Sequence, residues 1–252
     1  MKIVFLSAGA REKALRGIVE AGEQVSAVIT PYLSDSNRRF EGVINTALEY
    51  GIPVYPVRRN GVFDAVRKAE ADILISCGFS FILDEEVISS VKYAINVHPT
   101  LLPKYRGYRS GPHVILNGEK KTGVTVHFLT PEMDRGDILA QQEFEVTAFD
   151  TVKSISRKYQ ELEPSLLVNV LKKLKAGRLE AVPQNENKAT EYLEMRTPEH
   201  SLIDPKCSIE ELWNEIRASD PVDYPAHFYV EGQKVCIRVW RPEKPDEEED
   251  LI

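Results

Sequence analysis

Cysteine is scarce and scattered in this chain. Cys77, Cys207 and Cys236 are the only three, and no two of them stand at the C-x-x-C spacing of a zinc or redox motif. An odd, widely spaced set argues against a disulfide framework, so we expect a reducing compartment, the cytoplasm. The histidines show no H-x-x-x-H spacing either, and catalysis without a metal is expected.

Long apolar runs, clustered basic residues and a glycine-rich dinucleotide loop are also missing. No apolar run reaches the about 18 residues of a membrane span, so we expect no membrane partner. The net charge is −7, of which residues 243–252 contribute −5, so we predict no nucleic-acid partner and a disordered acidic tail. Only Gly9 follows the first apolar run, where a G-x-G-x-x-G motif needs three glycines, which argues against NAD binding.

The apolar pattern alternates between strand-like and helix-like segments. Short apolar runs at residues 2–7, 72–76, 93–97 and 124–129 predict strands, and a helical pattern spans 150–175 with Pro164 expected to kink or divide it. The alternation predicts an α/β fold, with a Rossmann-like, largely parallel sheet and helices on both faces.

A change to polar composition after Pro183 predicts a domain boundary. We assign residues 1–182 to a main domain, 183–242 to a small C-terminal module and 243–252 to the acidic tail. In the module, Ser208 and Glu211 form a capping-box pattern before a helix over 208–217. Residues 227–230 and 234–240 are predicted to pair as a β-hairpin.

Two polar motifs suit attack on an acyl carbon. Asn96-Val97-His98-Pro99 ends one predicted strand, and Met133-Asp134-Arg135-Gly136-Asp137 lies further on. An amide can donate to an oxyanion, an imidazole can move a proton, and a carboxylate can orient the imidazole. No Ser or Cys stands beside His98, so direct transfer is favoured over a covalent acyl-enzyme. Asp134 and Asp137 compete for the carboxylate role.

These motifs resemble those of the folate-dependent formyltransferases. The resemblance lies in residues 95–139: Asn-x-His-Pro-x-Leu-Leu-Pro, Arg-Gly, Gly-Val-Thr-Val-His and Met-Asp-x-Gly-Asp-Ile-Leu. It implies transfer of a formyl group from N10-formyltetrahydrofolate to an amine, without a metal. The family places its acid before x-Gly, which selects Asp134, so the implied catalytic residues are Asn96, His98 and Asp134.

The resemblance also implies residues that contact the folate. The candidates are Gly78, Phe79, Leu83, Leu101, Leu129, Met133 and Gly136. Core packing is the alternative for Leu83 and Leu101. Gly136 is expected to permit a positive φ and close approach of the ligand. His127 alternates within an apolar strand and is interpreted as a packed core or wall residue.

A dense group of cationic and aromatic residues follows His98. It comprises Lys104, Tyr105, Arg106, Gly107, Tyr108 and Arg109. Such a group suits a phosphate or a nucleobase, although a solvated loop is the simpler alternative. We therefore list these six residues as candidate substrate contacts.

The length and acidic end of the chain favour one branch of the family, the N-formyltransferases of UDP- or dTDP-linked amino-dideoxy sugars that serve surface-glycan synthesis. A methionyl-tRNA formyltransferase and a formyltetrahydrofolate hydrolase with the same Asn/His/Asp site remain alternatives, and a non-enzymatic binder has no support. By resemblance to small sugar formyltransferases, we expect a homodimer that forms through the C-terminal hairpin.

Overall fold

The computed structural model describes residues 1–34, 38–108 and 110–244, so Arg109 and residues 245–252 of the predicted tail lie outside the described residues. The chain divides into two compact units. The first, called the sheet unit, comprises residues 1–98, 124–142 and 160–187, and the remaining described residues form the second unit. The units interleave along the chain, so they are not equivalent to the linear division at residue 183, which stays a prediction.

The sheet unit is built on a seven-stranded sheet. Its strands are β1 (Lys2–Leu6), β2 (Gln24–Pro31), β3 (Val54–Val57), β4 (Ile73–Cys77), β5 (Tyr93–His98), β7 (Lys121–Phe128) and β8 (Ile138–Glu145). Their order is β3-β2-β1-β4-β5-β7-β8. The β1–β2, β1–β4, β2–β3 and β4–β5 pairs are parallel, and the β5–β7 pair is antiparallel. The prediction of a largely parallel α/β sheet is confirmed.

Burial explains the apolar composition of the central strands. All five residues of β4 are buried, as expected for a parallel strand that is covered on both faces. The helices are α1 (Glu12–Glu20), α2 (Glu41–Glu49), α3 (Val62–Lys68), α4 (Glu85–Ser89), α5 (Ser110–Leu116), α6 (Val152–Lys175) and α7 (Ile209–Ala218). Short 3₁₀ turns lie at Arg59–Gly61, Glu186–Lys188 and Pro198–Ser201.

Helix α6 continues through Pro164 rather than dividing there. Gly17 of α1 packs directly against this proline, because a Cβ built at Gly17 would lie 2.6 Å from the Pro164 Cβ. The alternative of two separate helices is therefore wrong.

A buried ion pair joins α6 to the start of α1. Glu163 is 1% exposed and Arg11 11% exposed, and the Arg11 Nε lies 3.2 Å from the Glu163 Oε1. The Cys77 thiol at the end of β4 donates to the Glu163 Oε2 at 3.8 Å. Burial raises the pKa of Glu163 to about 7, although the positive charge of Arg11 opposes that shift. The Cys77 pKa is also raised, mainly by burial.

Glu163 is expected to make the stability of the protein depend on pH. Its pKa in the folded state exceeds the ordinary value of 4.5, so its contribution is fully present below pH 4.5 and is lost as pH rises through about 7. Between pH 5 and pH 8 the free energy of unfolding should fall by roughly 2 kcal/mol more in the native protein than in Glu163→Gln. Urea titrations of both proteins at the two pH values measure this difference, and parallel pH dependence would contradict the assignment.

The second unit contains two small sheets. In one, β6 (Arg106–Gly107) pairs in parallel with β9 (Glu191–Tyr192). In the other, β10 (His227–Val230) pairs with β11 (Gln233–Cys236) across a two-residue turn, in which Glu231 and Gly232 both have positive φ. The hairpin is confirmed, but its second strand ends at Cys236 instead of extending to residue 240.

Helix α7 begins as the sequence predicts. The Ser208 side chain accepts from the Glu211 backbone N–H, and the Glu211 carboxylate accepts from the Ser208 N–H, which completes a capping box. Leu212 and Ile216 of this helix are buried in an apolar cluster with Ile203 and Ala226. Phe228, Ile237 and Val239 pack against the same cluster, so part of the hairpin face is covered by its own unit.

Candidate active site

Strand β5 carries two predicted catalytic side chains on one face. Asn96 and His98 are two residues apart, and alternate residues of a strand share a face. In the antiparallel register, Asn96 lies opposite His127 of β7, and His98 lies opposite Thr125. The pairing therefore brings a second imidazole to the site, beside Asn96.

Asp134 joins these residues from the loop that follows β7. Its Oδ2 lies 3.4 Å from the His98 Nδ1, and its Oδ1 lies 3.4 Å from the Asn96 Nδ2 and 3.6 Å from the His127 Nε2. The side chains of His98, His127 and Asp134 are 5%, 1% and 10% exposed. The structure thus brings the predicted trio together in a nearly dry setting, where electrostatic interactions are stronger than in water.

His127 is part of this constellation as well as a packed residue. Its Nδ1 lies 2.7 Å from the Phe128 carbonyl oxygen, which only accepts, so Nδ1 carries the proton. In neutral His127, Nε2 is then the acceptor for the Asn96 amide N–H at 3.1 Å. Asn96 directs its two N–H bonds toward His127 and Asp134. One of these two hydrogen bonds must therefore break before Asn96 can donate to an oxyanion.

The backbone around Asp134 is held in an unusual conformation. Asp134 has a φ of 55°, in the left-handed region that Asp adopts more readily than most residues. The Gln184 side-chain amide donates to the carbonyl oxygens of Asp134 at 2.8 Å and Gly136 at 2.7 Å. Gln184 was not predicted as a site residue, since nothing in its polar segment marks it as a partner of this loop.

The proposed role of Gly136 requires correction. The positive φ in this loop belongs to Asp134, and Gly136 is not among the residues with positive φ. A Cβ at Gly136 would lie 1.9 Å from the Phe128 carbonyl oxygen, so the close approach is made by the protein's own backbone.

The other candidate folate contacts differ in how deeply they are buried. Gly78, with φ +67°, follows β4, and Phe79 and Leu129 are partly buried against an apolar cluster of the sheet unit. Leu83 is a buried member of that cluster, which favours its alternative role in core packing. Met133 and Leu101 are partly buried, and their contact with folate stays a prediction.

Two residues of the proposed substrate loop, Tyr105 and Arg106, are buried in the second unit. Arg106 is fully buried and pairs with Glu191 at 3.5 Å, and Tyr105 is buried and stacks on Tyr192 with 5.7 Å between ring centroids. Lys104 is exposed and pairs with Glu119 at 2.9 Å. These contacts favour a structural role for the three residues over direct binding of a ligand.

Gly107 and Tyr108 complete the described part of that loop. A Cβ at Gly107, where φ is +106°, would lie 2.1 Å from the Tyr192 carbonyl oxygen, so the β6–β9 pairing requires glycine. Tyr108 is partly buried, and its contact with substrate stays a prediction. His113 stacks on Tyr192 with 3.8 Å between centroids, and burial lowers the His113 pKa to about 4.

The described residues contain neither a metal-binding cluster nor a membrane-spanning helix. Within residues 1–34, 38–108 and 110–244, no three His, Cys, Asp or Glu side chains are arranged to hold a metal ion. No helix in the described part of the chain has the length and apolar character needed to cross a membrane.

Known proteins that are similar to this chain belong to the family that its motifs resemble. A family model described as formyl transferase matches residues 22–171. A methionyl-tRNA formyltransferase of Sulfurihydrogenibium sp. (strain YO3AOP1) is 34% identical over 215 residues, which cover 82% of this chain and 69% of the relative.

Two solved structures share the fold. A 4-N formyltransferase from Francisella tularensis superposes with a TM-score of 0.76 at 23% identity, covering 94% of this chain and 96% of that one. An N-formyltransferase from Helicobacter canadensis, in complex with folinic acid and dTDP-3-aminofucose, superposes with a TM-score of 0.70 at 21% identity, covering 93% and 85%.

Proposed function

The chain belongs to the formyl transferase family, and we propose that it transfers a formyl group from N10-formyltetrahydrofolate to the amino group of a nucleotide-linked amino sugar. The membership confirms the family predicted from the motifs. The observation that carries the proposed chemistry is the convergence of Asn96, His98 and Asp134 within 3.4 Å contacts in a nearly dry site.

The site supports direct transfer between two amine nitrogens. The neutral acceptor amine attacks the formyl carbon, a C–N bond forms, and the carbonyl electron pair moves to oxygen. Asn96 stabilises that oxyanion by donating a hydrogen bond, and His98 adds a second one once its Nε2 has been protonated. With Nδ1 of His98 donating to Asp134, its Nε2 takes the ammonium proton, which passes to N10 as the bond between N10 and the formyl carbon breaks.

The proposed co-substrate site lies at the carboxyl ends of β4 and β5. Gly78 and Phe79 follow β4, and the catalytic side chains of β5 stand on the neighbouring strand. Open α/β sheets bind ligands at this edge. The folinic acid in the H. canadensis complex supports a reduced folate as the donor here.

The acceptor is the finer part of the proposal. The dTDP-3-aminofucose of the H. canadensis complex supports an amino sugar linked to dTDP or UDP, as in surface-glycan synthesis. The net charge of −7 also makes tRNA an unfavourable partner, because its binding depends on clustered cations. Three free cysteines suit the cytoplasm, where we place this reaction.

An assay of formyl-donor consumption distinguishes the possible acceptors. The protein is incubated with N10-formyltetrahydrofolate and, separately, a panel of UDP- and dTDP-linked amino sugars, methionyl-tRNA and buffer alone. We expect turnover that requires an amino sugar and a product that carries the mass of one added formyl group. Turnover with methionyl-tRNA, which the 34% identical relative favours, would replace the sugar by tRNA. Formate released in buffer alone would indicate a hydrolase.

We also propose a two-fold dimer through the C-terminal hairpin. Tyr229, Val230 and Val235 remain exposed near its turn, and an isolated two-stranded hairpin gains little stability by itself. The proposed partner surface is the same hairpin of a second copy.

Light scattering at micromolar concentration tests the dimer. We expect about twice the 28.5 kDa of one chain, since two-fold dimers are the commonest oligomers. Val230→Lys should lower the particle mass to that of the monomer, because it introduces charge at the proposed interface. The control Val222→Lys, at an exposed position outside the hairpin, should leave the dimer mass unchanged. A 28.5 kDa particle for the unaltered chain would contradict the dimer.

A further inference from the structure

Charged side chains fill the crevice between the carboxyl ends of β1 and β4. The strand order runs from β1 to β2 and β3 on one side and to β4 and β5 on the other. Doubly wound sheets bind ligands at this reversal. Here Arg11, which follows the β1 loop, meets Glu163 of α6 at 3.2 Å, and Glu163 also accepts from Cys77, the last residue of β4.

The same arginine packs on the backbone of Gly78. A Cβ built at Gly78 would lie 3.3 Å from the Arg11 Nε and 3.4 Å from its Nη2, so the guanidinium is in contact with this backbone. The Ala8 N–H donates to the Gly78 carbonyl at 3.0 Å, which ties the β1 loop to the β4 loop. Gly78 itself has a φ of +67°, a conformation that glycine supplies without strain.

Gly78 stands beside the catalytic strand. In the parallel register the last residue of β4, Cys77, pairs with Val97 of β5. Gly78 follows β4 directly, and His98 follows Val97 on β5. A displacement of the Gly78 backbone therefore alters the edge next to the catalytic imidazole.

We infer that Arg11, held by Glu163, is a positioning residue for the formyl donor, fixing the Gly78 backbone in the conformation that folate binding requires. This inference rests on the proposed function. Burial explains why the pair positions the loop rather than binds an anion. The Arg11 Nε already lies 3.2 Å from the Glu163 Oε1, and the two side chains are only 11% and 1% exposed.

Binding of 5-formyltetrahydrofolate, measured by calorimetry, tests the inference in Arg11→Met, Arg11→Lys and Glu163→Gln. We expect Arg11→Met to weaken binding about tenfold, the effect of losing roughly one charge-assisted contact. The KM for the formyl donor should rise in parallel, while the KM for the amine stays unchanged. Arg11→Lys keeps the charge and should recover part of the affinity.

The control is Arg16→Met on the same helix. It removes an exposed pair with Glu49, in which the Arg16 Nη1 donates at 2.9 Å, and should leave donor binding unchanged. Equal donor affinity in the native protein and Arg11→Met would overturn this inference but leave the proposed function in place. A native protein that does not bind 5-formyltetrahydrofolate would overturn the proposed function and the inference with it. If Arg11→Met does not fold, unchanged affinity in both Arg11→Lys and Glu163→Gln overturns the inference.

Discussion

Replacing His98 by alanine should lower the turnover of formyl transfer by roughly 10²–10⁴-fold, the range for a lost acid-base or oxyanion group. His98 is buried beside Asp134, and β5 contains no second histidine that could replace it. The measurement is the rate of donor consumption at saturating amine. Near-native turnover in His98→Ala would show that the mechanism does not pass through this imidazole.

The companion variants separate the roles within the trio. The turnover of Asn96→Ala should be lowered by a factor in the same range, because the variant lacks a hydrogen-bond donor to the oxyanion. For Asp134 the informative change is Asp134→Asn, since Asn tolerates the left-handed φ of 55° that alanine disfavours. It removes the negative charge and one acceptor oxygen while keeping the backbone conformation. His200→Ala is the control, because this histidine is exposed in the second unit. Circular dichroism should show an unchanged fold in all four variants.

Gly136→Ala should impair both stability and activity. The new Cβ would lie 1.9 Å from the Phe128 carbonyl oxygen and 2.7 Å from its carbon, so backbone must move. Overpacking of this kind costs about 1–3 kcal/mol of unfolding free energy. The loop that moves carries Asp134, and a displacement of about 1 Å at a catalytic group can cost roughly 10²-fold in rate.

Gly111→Ala is the matched control for this glycine. A Cβ at Gly111, the second residue of helix α5, meets no atom within 4 Å outside its chain neighbours and its own helix backbone. Thermal unfolding and donor consumption should show Gly111→Ala losing less stability than Gly136→Ala, with native turnover, although alanine before Pro112 is less suited to the helix than glycine. A Gly136→Ala protein with native stability and turnover would contradict the close contact with Phe128.

The sequence predicts the parts of this site that depend on local spacing. Asn96 and His98 share a face because they alternate along one strand. Asp134, in contrast, is selected over Asp137 by the family resemblance. Contacts between distant segments are different. The place of His127 beside Asn96 depends on an antiparallel register that no local pattern specifies.

The burial of Arg106 illustrates the same limit. A cation in a polar segment predicts exposure, but the β6–β9 pairing brings Glu191 to it from 85 positions along the chain. Glu163 is similar, since a charged residue before Pro164 gives no sign that Arg11 and Cys77 will enclose it. Sequence thus indicates the chemistry of these groups more reliably than their burial.

The interleaved path of the chain has a consequence for synthesis. Strands β1 to β5, which form the four parallel pairs described above, can pair as soon as residue 98 has emerged from the ribosome. Asp134 comes later, and Gln184, whose amide holds its loop, later still. Since contacts between distant segments form slowly, catalytic competence should lag behind secondary structure in a refolding experiment. The active site is therefore among the last parts of the sheet unit to mature.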